Sequence, residues 1–254
     1  MEARYEALER DWVESHQRAA NEVIDFFAGD GISLEGLMIA DVGCGDGLID
    51  LALATTCQPA MITGFDLTTT NTELLSSRAK RYFDLEEIPA NLDFQQSSID
   101  RIPAEDASFD LVMSWSTFEH VSELDQMASE ILRVLKPQGK VFIQLWPFYS
   151  SQWGSHLWDF AQPFEHLQTP VELLQARARE TMDHDNPFHQ DVLGQSEHLN
   201  RTTLDELQRA FVGVGLKPRK VELYSEATHI PDELAAMPLS VLMVSGVKMI
   251  LSAG

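Results

Sequence analysis

At 254 residues, with 44% hydrophobic and 23% charged side chains, the chain is ordinary for a folded protein and can hold one large α/β domain or two small ones, with no linker separating two halves. Its 40 Asp and Glu against 18 Lys and Arg give a formal net charge of −22, which repels phosphate backbones and anionic lipid and argues against nucleic-acid or membrane partners. Two cysteines, Cys44 and Cys57, exclude a disulfide framework, and with no basic, apolar leader and no run of 18 apolar residues the expectation is a cytoplasmic protein.

Apolar positions at Tyr5, Leu8, Trp12, Ala19, Val23 and Phe26 or Phe27 predict one long amphipathic helix over residues 3–27, ended by Gly29-Asp30-Gly31. Strands are predicted at 37–42, 61–66, 92–96 and 109–115, with helices at 48–56 and 72–82. This alternation predicts a parallel sheet covered by helices on both faces. Arg78, Lys80 and Arg81 form the tight basic cluster of the first half and are expected on a solvated helix face. Leu124, Met127, Ala128, Ile131, Leu132 and Leu135 predict a further amphipathic helix, which Lys136-Pro137-Gln138-Gly139 should stop and turn before a strand at 141–146. The alternation then breaks over residues 147–200, a stretch rich in aromatics, proline and histidine. A capped helix from Thr203 and strands at 219–224 and 241–250 complete the predicted elements.

The chemistry concentrates at Asp41-Val42-Gly43-Cys44-Gly45-Asp46-Gly47, where a buried strand runs into a turn almost free of side chains. Such a loop lets backbone approach a ligand, and the following helix presents its positive end. Dinucleotide loops need G-x-G-x-x-G, but position 48 is Leu, and the glycines fall at spacing two. A ligand with a cationic amino acid part and no pyrophosphate fits better, with Asp41 accepting from an ammonium or from the loop's own amides. Nineteen residues after Gly47, Asp66 closes the second strand, the place for an acid that accepts both hydroxyls of a ribose.

With these features the chain resembles the class I S-adenosylmethionine-dependent methyltransferases, and over residues 37–146 the type 11 group in particular. Ser98-Ile99-Asp100-Arg101-Ile102-Pro103 through Ser108-Phe109-Asp110 follows that group's pattern after the third strand. The resemblance implies an α/β, Rossmann-like fold with a seven-stranded, mostly parallel sheet, helices on both faces and an inserted lid. It implies one methyltransferase domain over 1–254: a helical cap at 1–30, a cofactor-binding core at 31–146, a substrate lid at 147–200, and a C-terminal helix and strand pair at 201–254. The implied cofactor is S-adenosylmethionine, with S-adenosylhomocysteine as product. Its implied contacts are Asp41, Gly43, Cys44, Gly45 and Gly47 in the loop, Asp66 and Leu67 at the ribose, Ser98 and Ile99 at the adenine, and Trp115 and Ser116 under the methionine. Ser98 departs from the family, which commonly places an acid there.

Methyl transfer is an in-line displacement, so the enzyme must align, exclude water and, for a hydroxyl acceptor, remove a proton. The family places Glu119-His120 on the acceptor side, making His120 the candidate base, with Glu119 beside it and His156 in reserve. No metal is assigned. Metal-dependent O-methyltransferases carry E-x-x-E-H here, however, and this chain has Ser116 for the first Glu, so a metal would draw on His156 and His166 as well. The aromatic segment from Pro147 to Trp158 predicts a small-molecule acceptor. Four readings stay open: a small-molecule O-methyltransferase with a histidine base, an N-methyltransferase of a small amine, a metal-dependent O-methyltransferase, and a non-catalytic adenosylmethionine-binding module. Oligomeric state is left unassigned.

Overall fold

The computed structural model describes residues 2–184 and 186–254. In chain order its elements are α1 (Glu2–Ala28), β1 (Met38–Val42), α2 (Leu48–Cys57), β2 (Met61–Asp66), α3 (Thr72–Tyr82), β3 (Leu92–Gln96), β4 (Phe109–Trp115), α4 (Leu124–Val134) and β5 (Leu135–Leu145). There follow α5 (Val171–Thr181), α6 (Pro187–Ser196), α7 (Leu204–Gly213), β6 (Leu216–Tyr224), α8 (Leu239–Leu242) and β7 (Gly246–Ala253). The seven strands form one sheet in the order β3-β2-β1-β4-β5-β7-β6.

β1 pairs in parallel with β2 on one side and β4 on the other, which puts Asp41 beside Gly64 and Met113. A strand flanked in this way is buried on both faces, which is why Met38-Ile-Ala-Asp-Val42 reads as a continuous rather than alternating run. The carboxyl ends of β1 and β2 carry Asp41 and Asp66, and in open parallel sheets ligands bind outside those ends. No helix among the described residues is long and apolar enough to cross a membrane. Both cysteines are free.

The chain divides into two compact units. The first comprises the residues up to Ser114, Glu130–Val141 and Ala253. Its helical face packs Val13 of α1, Leu48 and Leu51 of α2, and Leu75 and Ala79 of α3 into one cluster with Trp12, Tyr82 and Phe94. The basic cluster of α3 is not simply solvated: Arg78 pairs with Glu9 and Asp46, and Arg81 with Glu6 and Glu9. Glu6 and Glu9 of α1 and Asp46 of the loop supply these partners, so α1 and α3 are tied by charge as well as by apolar contact.

The second unit comprises Trp115–Ser129, Phe142–Ser252 and Gly254. Leu157 and Ala161 pack with Leu174 and Ala178 of α5 and Val192 of α6. α7 starts on a reciprocal cap in which the Thr203 hydroxyl accepts from the Glu206 amide and the Glu206 carboxylate accepts from Thr203.

Three expectations change. Lys136-Pro137-Gln138-Gly139 is no turn but the leading end of β5, where Pro137 and Gln138 are exposed and a missing ladder donor costs little. Gly139 is needed there because a Cβ would lie 2.6 Å from the Leu135 side chain and 3.0 Å from the Asp110 carbonyl. Residues 147–200 are not irregular throughout, since they contain α5 and α6. The strand expected at 241–250 begins later, at Gly246 after the short helix α8, and runs on to Ala253 as β7. β7 begins at Gly246, where a Cβ would lie 2.6 Å from the Leu145 carbonyl and 2.7 Å from Tyr224, so only glycine enters between those residues.

Candidate active site

The glycine loop is held from within. Gly43 and Cys44 amides both donate to the Phe65 carbonyl, at 2.7 and 3.2 Å, Gly47 donates to Cys44, and Leu48 donates to the Asp46 carboxylate. These amides are spent on the loop's own fold, and its glycines serve conformation and clearance. Gly43, Gly45 and Gly47 have φ of 83°, 55° and 77°. A Cβ on Gly47 would lie 2.5 Å from the Phe94 ring, whereas one on Gly45 would meet open space. Thr70 closes the back of the loop, donating to the Gly45 carbonyl and contacting the Cys44 thiol.

Asp66 holds the loop's outer edge. One carboxylate oxygen accepts from the Gly45 amide at 3.0 Å and the other from the Thr68 amide and hydroxyl, both at 3.0 Å. A carboxylate has about four acceptor positions and three are filled, so a diol would take the fourth and displace the Thr68 hydroxyl from another. Asp46, unassigned by the sequence, receives the Trp12 indole N–H and the Arg78 guanidinium on one oxygen, each at 2.8 Å, and so ties α1 and α3 to the loop. Leu67 and Ile99 are exposed, at 52% and 57%. The Ser98 hydroxyl donates to the Asp100 carboxylate at 2.7 Å. Beneath the loop Asp41 and Asp50 are both buried. Burial, chiefly, pushes Asp41 up to about 7 and Asp50 well above its ordinary range; burial also raises the Cys44 thiol.

In the second unit, Trp115 stacks on Phe142 with ring centroids 6.3 Å apart. Ser116 follows at φ 46°, its amide and hydroxyl both donating to the buried Gln144 side chain. That bond occupies the residue standing in for the first acid of the metal-binding pattern. The turn then delivers Glu119 and His120. Asn200, missed from the sequence, fixes this turn by donating from its side chain to the Phe118 and Val121 carbonyls, each at 2.7 Å, and from its amide to Glu119.

His156, at φ 62° and only 2% exposed, meets His120 with ring centroids 5.4 Å apart and packs on Trp158, which itself stacks on Trp146. Left-handed backbone at Ser116 and His156 costs about 1–3 kcal/mol each and is characteristic of functional sites. Ligand atoms of Glu119, His120 and His156 all lie within 4.8 Å of one another. His166 does not join them, because its Nε2 bonds the Tyr149 carbonyl at 2.6 Å. Burial holds His156 at about 3 and lowers His120, so both imidazoles are neutral near pH 7. Burial likewise pushes Glu119 up to about 8, and its Oε2 finds no partner among the described residues.

This protonated Glu119 has a stability consequence. The folded chain keeps its proton to about pH 8, while the unfolded chain loses it near 4.5. Its contribution is therefore complete below pH 4.5 and is lost as pH rises toward 8, by about 3 kcal/mol at pH 7. Glu119→Gln, which cannot ionise, is expected to match wild type in melting temperature at pH 4.5 and exceed it at pH 8. Parallel melting curves across that range would contradict the buried, protonated state.

A family model described as a methyltransferase domain matches residues 40–143. Ubiquinone biosynthesis O-methyltransferase of Coxiella burnetii is 32% identical over 111 residues, 44% of this chain and 44% of that protein. The match thus spans less than half the length of that curated relative. Among solved structures, a geranyl diphosphate methyltransferase in complex with SAM superposes with a TM-score of 0.58 at 13% identity, covering 94% of this chain and 85% of that one. A protein named as a cyclase, SpnF, gives 0.58 at 17% identity over 94% and 81%. At these identities the likeness is one of fold, and the cyclase shows that the fold does not by itself name a reaction.

Proposed function

We infer that this chain, a class I S-adenosylmethionine-dependent methyltransferase, methylates a hydroxyl oxygen of a small molecule, with His120 as the base that takes the hydroxyl proton. S-adenosylmethionine supplies an activated methyl group on a sulfonium. Asp41, Gly43, Cys44, Gly45 and Gly47 would hold its amino acid part, Asp66 and Leu67 its ribose, Ser98 and Ile99 its adenine, and Trp115 and Ser116 would line the methionine side. The gap around Gly45 and the open acceptor position of Asp66 fit such a ligand. The observation that carries the assignment of the base is the neutral, partly buried His120 imidazole packed against His156. Its Nδ1 lies 3.4 Å from the His198 carbonyl, a contact that favours Nδ1–H and leaves Nε2 as the acceptor. Residues 147–200 act as the acceptor lid, with Trp146, Trp158 and Tyr149 as apolar walls. The Coxiella relative's name, an O-methyltransferase, supports oxygen as the acceptor atom.

One observation favours a second reading. Glu119, His120 and His156 offer two neutral imidazoles and a carboxyl, which would give up its proton to a cation, within 4.8 Å, a donor set suited to zinc or iron(II). A divalent ion there would act as a Lewis acid on the acceptor hydroxyl. The test is release of S-adenosylhomocysteine over a panel of phenols, alcohols and amines, with and without EDTA. Turnover of hydroxyl acceptors unchanged by EDTA is expected. Loss with EDTA and recovery with zinc or iron selects the metal-dependent reading, and turnover confined to amines selects N-methylation. Donor binding without turnover selects a binding module.

A further inference from the structure

Arg201 is a cation without an acid. The chain carries 40 Asp and Glu against 18 Lys and Arg, yet Arg201 makes no ion pair among the described residues. Its guanidinium lies instead over the Tyr149 ring, 4.7 Å from the centroid. His166 meets the same ring nearly at right angles, with centroids 5.0 Å apart and its Nε2 donating to the Tyr149 carbonyl. The backbone that carries Arg201 is tied to the turn that carries the candidate base. Arg201 sits at φ 59°, a left-handed conformation that a residue with a side chain holds only when its surroundings fix it. Asn200 before it donates to the Phe118, Glu119 and Val121 carbonyls, and its side-chain oxygen accepts the Thr202 amide from the other side. The His198 carbonyl lies 3.4 Å from His120 Nδ1, so the 198–202 stretch runs along the Glu119-His120 turn. All of these residues lie in the second unit. Two polar atoms on residues next to the Arg201–Tyr149 pair, His166 Nδ1 and Thr202 Oγ1, are buried with no partner among the described residues. Buried polar atoms are nearly always paired, so unpaired ones here point to a polar ligand.

We propose that Arg201 binds an oxyanion of the acceptor, so that the substrate is a small hydroxy acid with a hydroxyl for the methyl group and a carboxylate or phosphate for Arg201. The proposal rests on the reading of this chain as a methyltransferase of hydroxyl acceptors. Attraction to the Tyr149 ring fixes the guanidinium without spending its N–H donors on a carboxylate. Its planar fork is therefore left for a ligand oxyanion, which it can meet with two parallel bonds. The net charge of −22 repels an anionic acceptor at long range, and a cation held at the site offsets this locally. Arg201 has no place among the reacting atoms. It acts on acceptor binding and selects acids over neutral analogues.

The first test needs no donor. Benzoate, phenyl phosphate and neutral benzamide are titrated, up to about 10 mM, into the full chain while the arginine Nε–H groups are followed by ¹⁵N NMR, with Arg201→Gln identifying the Arg201 signal. Benzoate or phenyl phosphate is expected to shift that signal and benzamide to leave it in place, and the stronger anion tells carboxylate from phosphate. No shift with either anion, an equal shift with benzamide, or the same shift at the other exposed arginines overturns the proposal. The second test is S-adenosylhomocysteine release with 4-hydroxybenzoate, 4-hydroxyphenyl phosphate and 4-hydroxybenzamide. Wild type should favour an acid, and Arg201→Gln should raise KM for it by about 10–100-fold, leave kcat within about threefold and erase the preference. Arg201→Lys, which keeps the charge without the fork, should fall between. Equal kcat/KM for acids and amide in wild type overturns the proposal. Binding of the anions at Arg201 with no methyl transfer to any acceptor leaves the oxyanion site standing and removes the transferase reading.

Discussion

His120→Ala is expected to lower kcat by about 10²–10⁴-fold toward a hydroxyl acceptor, with the donor Kd changed by less than about threefold. Of the three titratable groups in the cluster, only His120 combines a neutral form with useful basicity. Glu119 holds its proton to about pH 8, so near neutrality it cannot accept another. His156 is neutral but, at about 3, is too weak a base to take a proton in the transition state. Its place between His120 and Trp158 makes it a support for the base, and His156→Ala should cost about tenfold in kcat. A metal centre gives a different pattern, in which Glu119→Gln, His120→Ala and His156→Ala fall together and each loses bound metal. Steady-state S-adenosylhomocysteine release on the three variants separates the cases. Full activity in His120→Ala would remove the general-base assignment.

Asp66→Ala is expected to weaken S-adenosylmethionine binding by about 100-fold or more, while lowering the stability of the ligand-free protein by no more than about 1 kcal/mol. Two charge-assisted hydrogen bonds to a ribose diol, each about 1.5–3 kcal/mol, account for the affinity loss. The stability cost is small because the Gly45 and Thr68 amides that Asp66 caps belong to exposed residues, and water replaces the carboxylate there. Asp66→Asn, which keeps one acceptor oxygen, should fall between alanine and wild type. Equal affinity in wild type and Asp66→Ala, measured by equilibrium binding, would place the ribose elsewhere.

The central strands were legible because β1, β2 and β4 are largely apolar, buried runs. The strands Met61–Asp66, Leu92–Gln96 and Phe109–Trp115 and the helix Thr72–Tyr82 all fall where expected. What escaped depends on partners distant in sequence. Pro137 looks like a stop signal until the exposed leading end of β5 makes its missing donor harmless. α6 carried a visible signal, with Asn186 capping the Phe188 amide and Pro187 in the first turn, but its apolar stripe is too weak to stand out. The glycine loop and Asp66 stood out by spacing alone, and the structure brings them together through the Gly45 amide. The approach of His156 to His120, 36 positions earlier, was not, because a left-handed turn at His156 brings the ring in. Asp50 did leave a trace, as a lone acid in Leu48-Ile-Asp-Leu-Ala-Leu-Ala54. A charge in the middle of a buried helix marks either a fault or a function.

The central claim is that the Asp41–Gly47 loop and Asp66 bind S-adenosylmethionine. Equilibrium dialysis of the wild-type chain against methyl-labelled S-adenosylmethionine tests it most directly. One donor bound per chain, at a Kd of about 1–100 μM, is the result predicted here, in the range enzymes commonly show for their substrates. No retained label at 1 mM donor, on the order of ten times the weakest affinity expected, would contradict it.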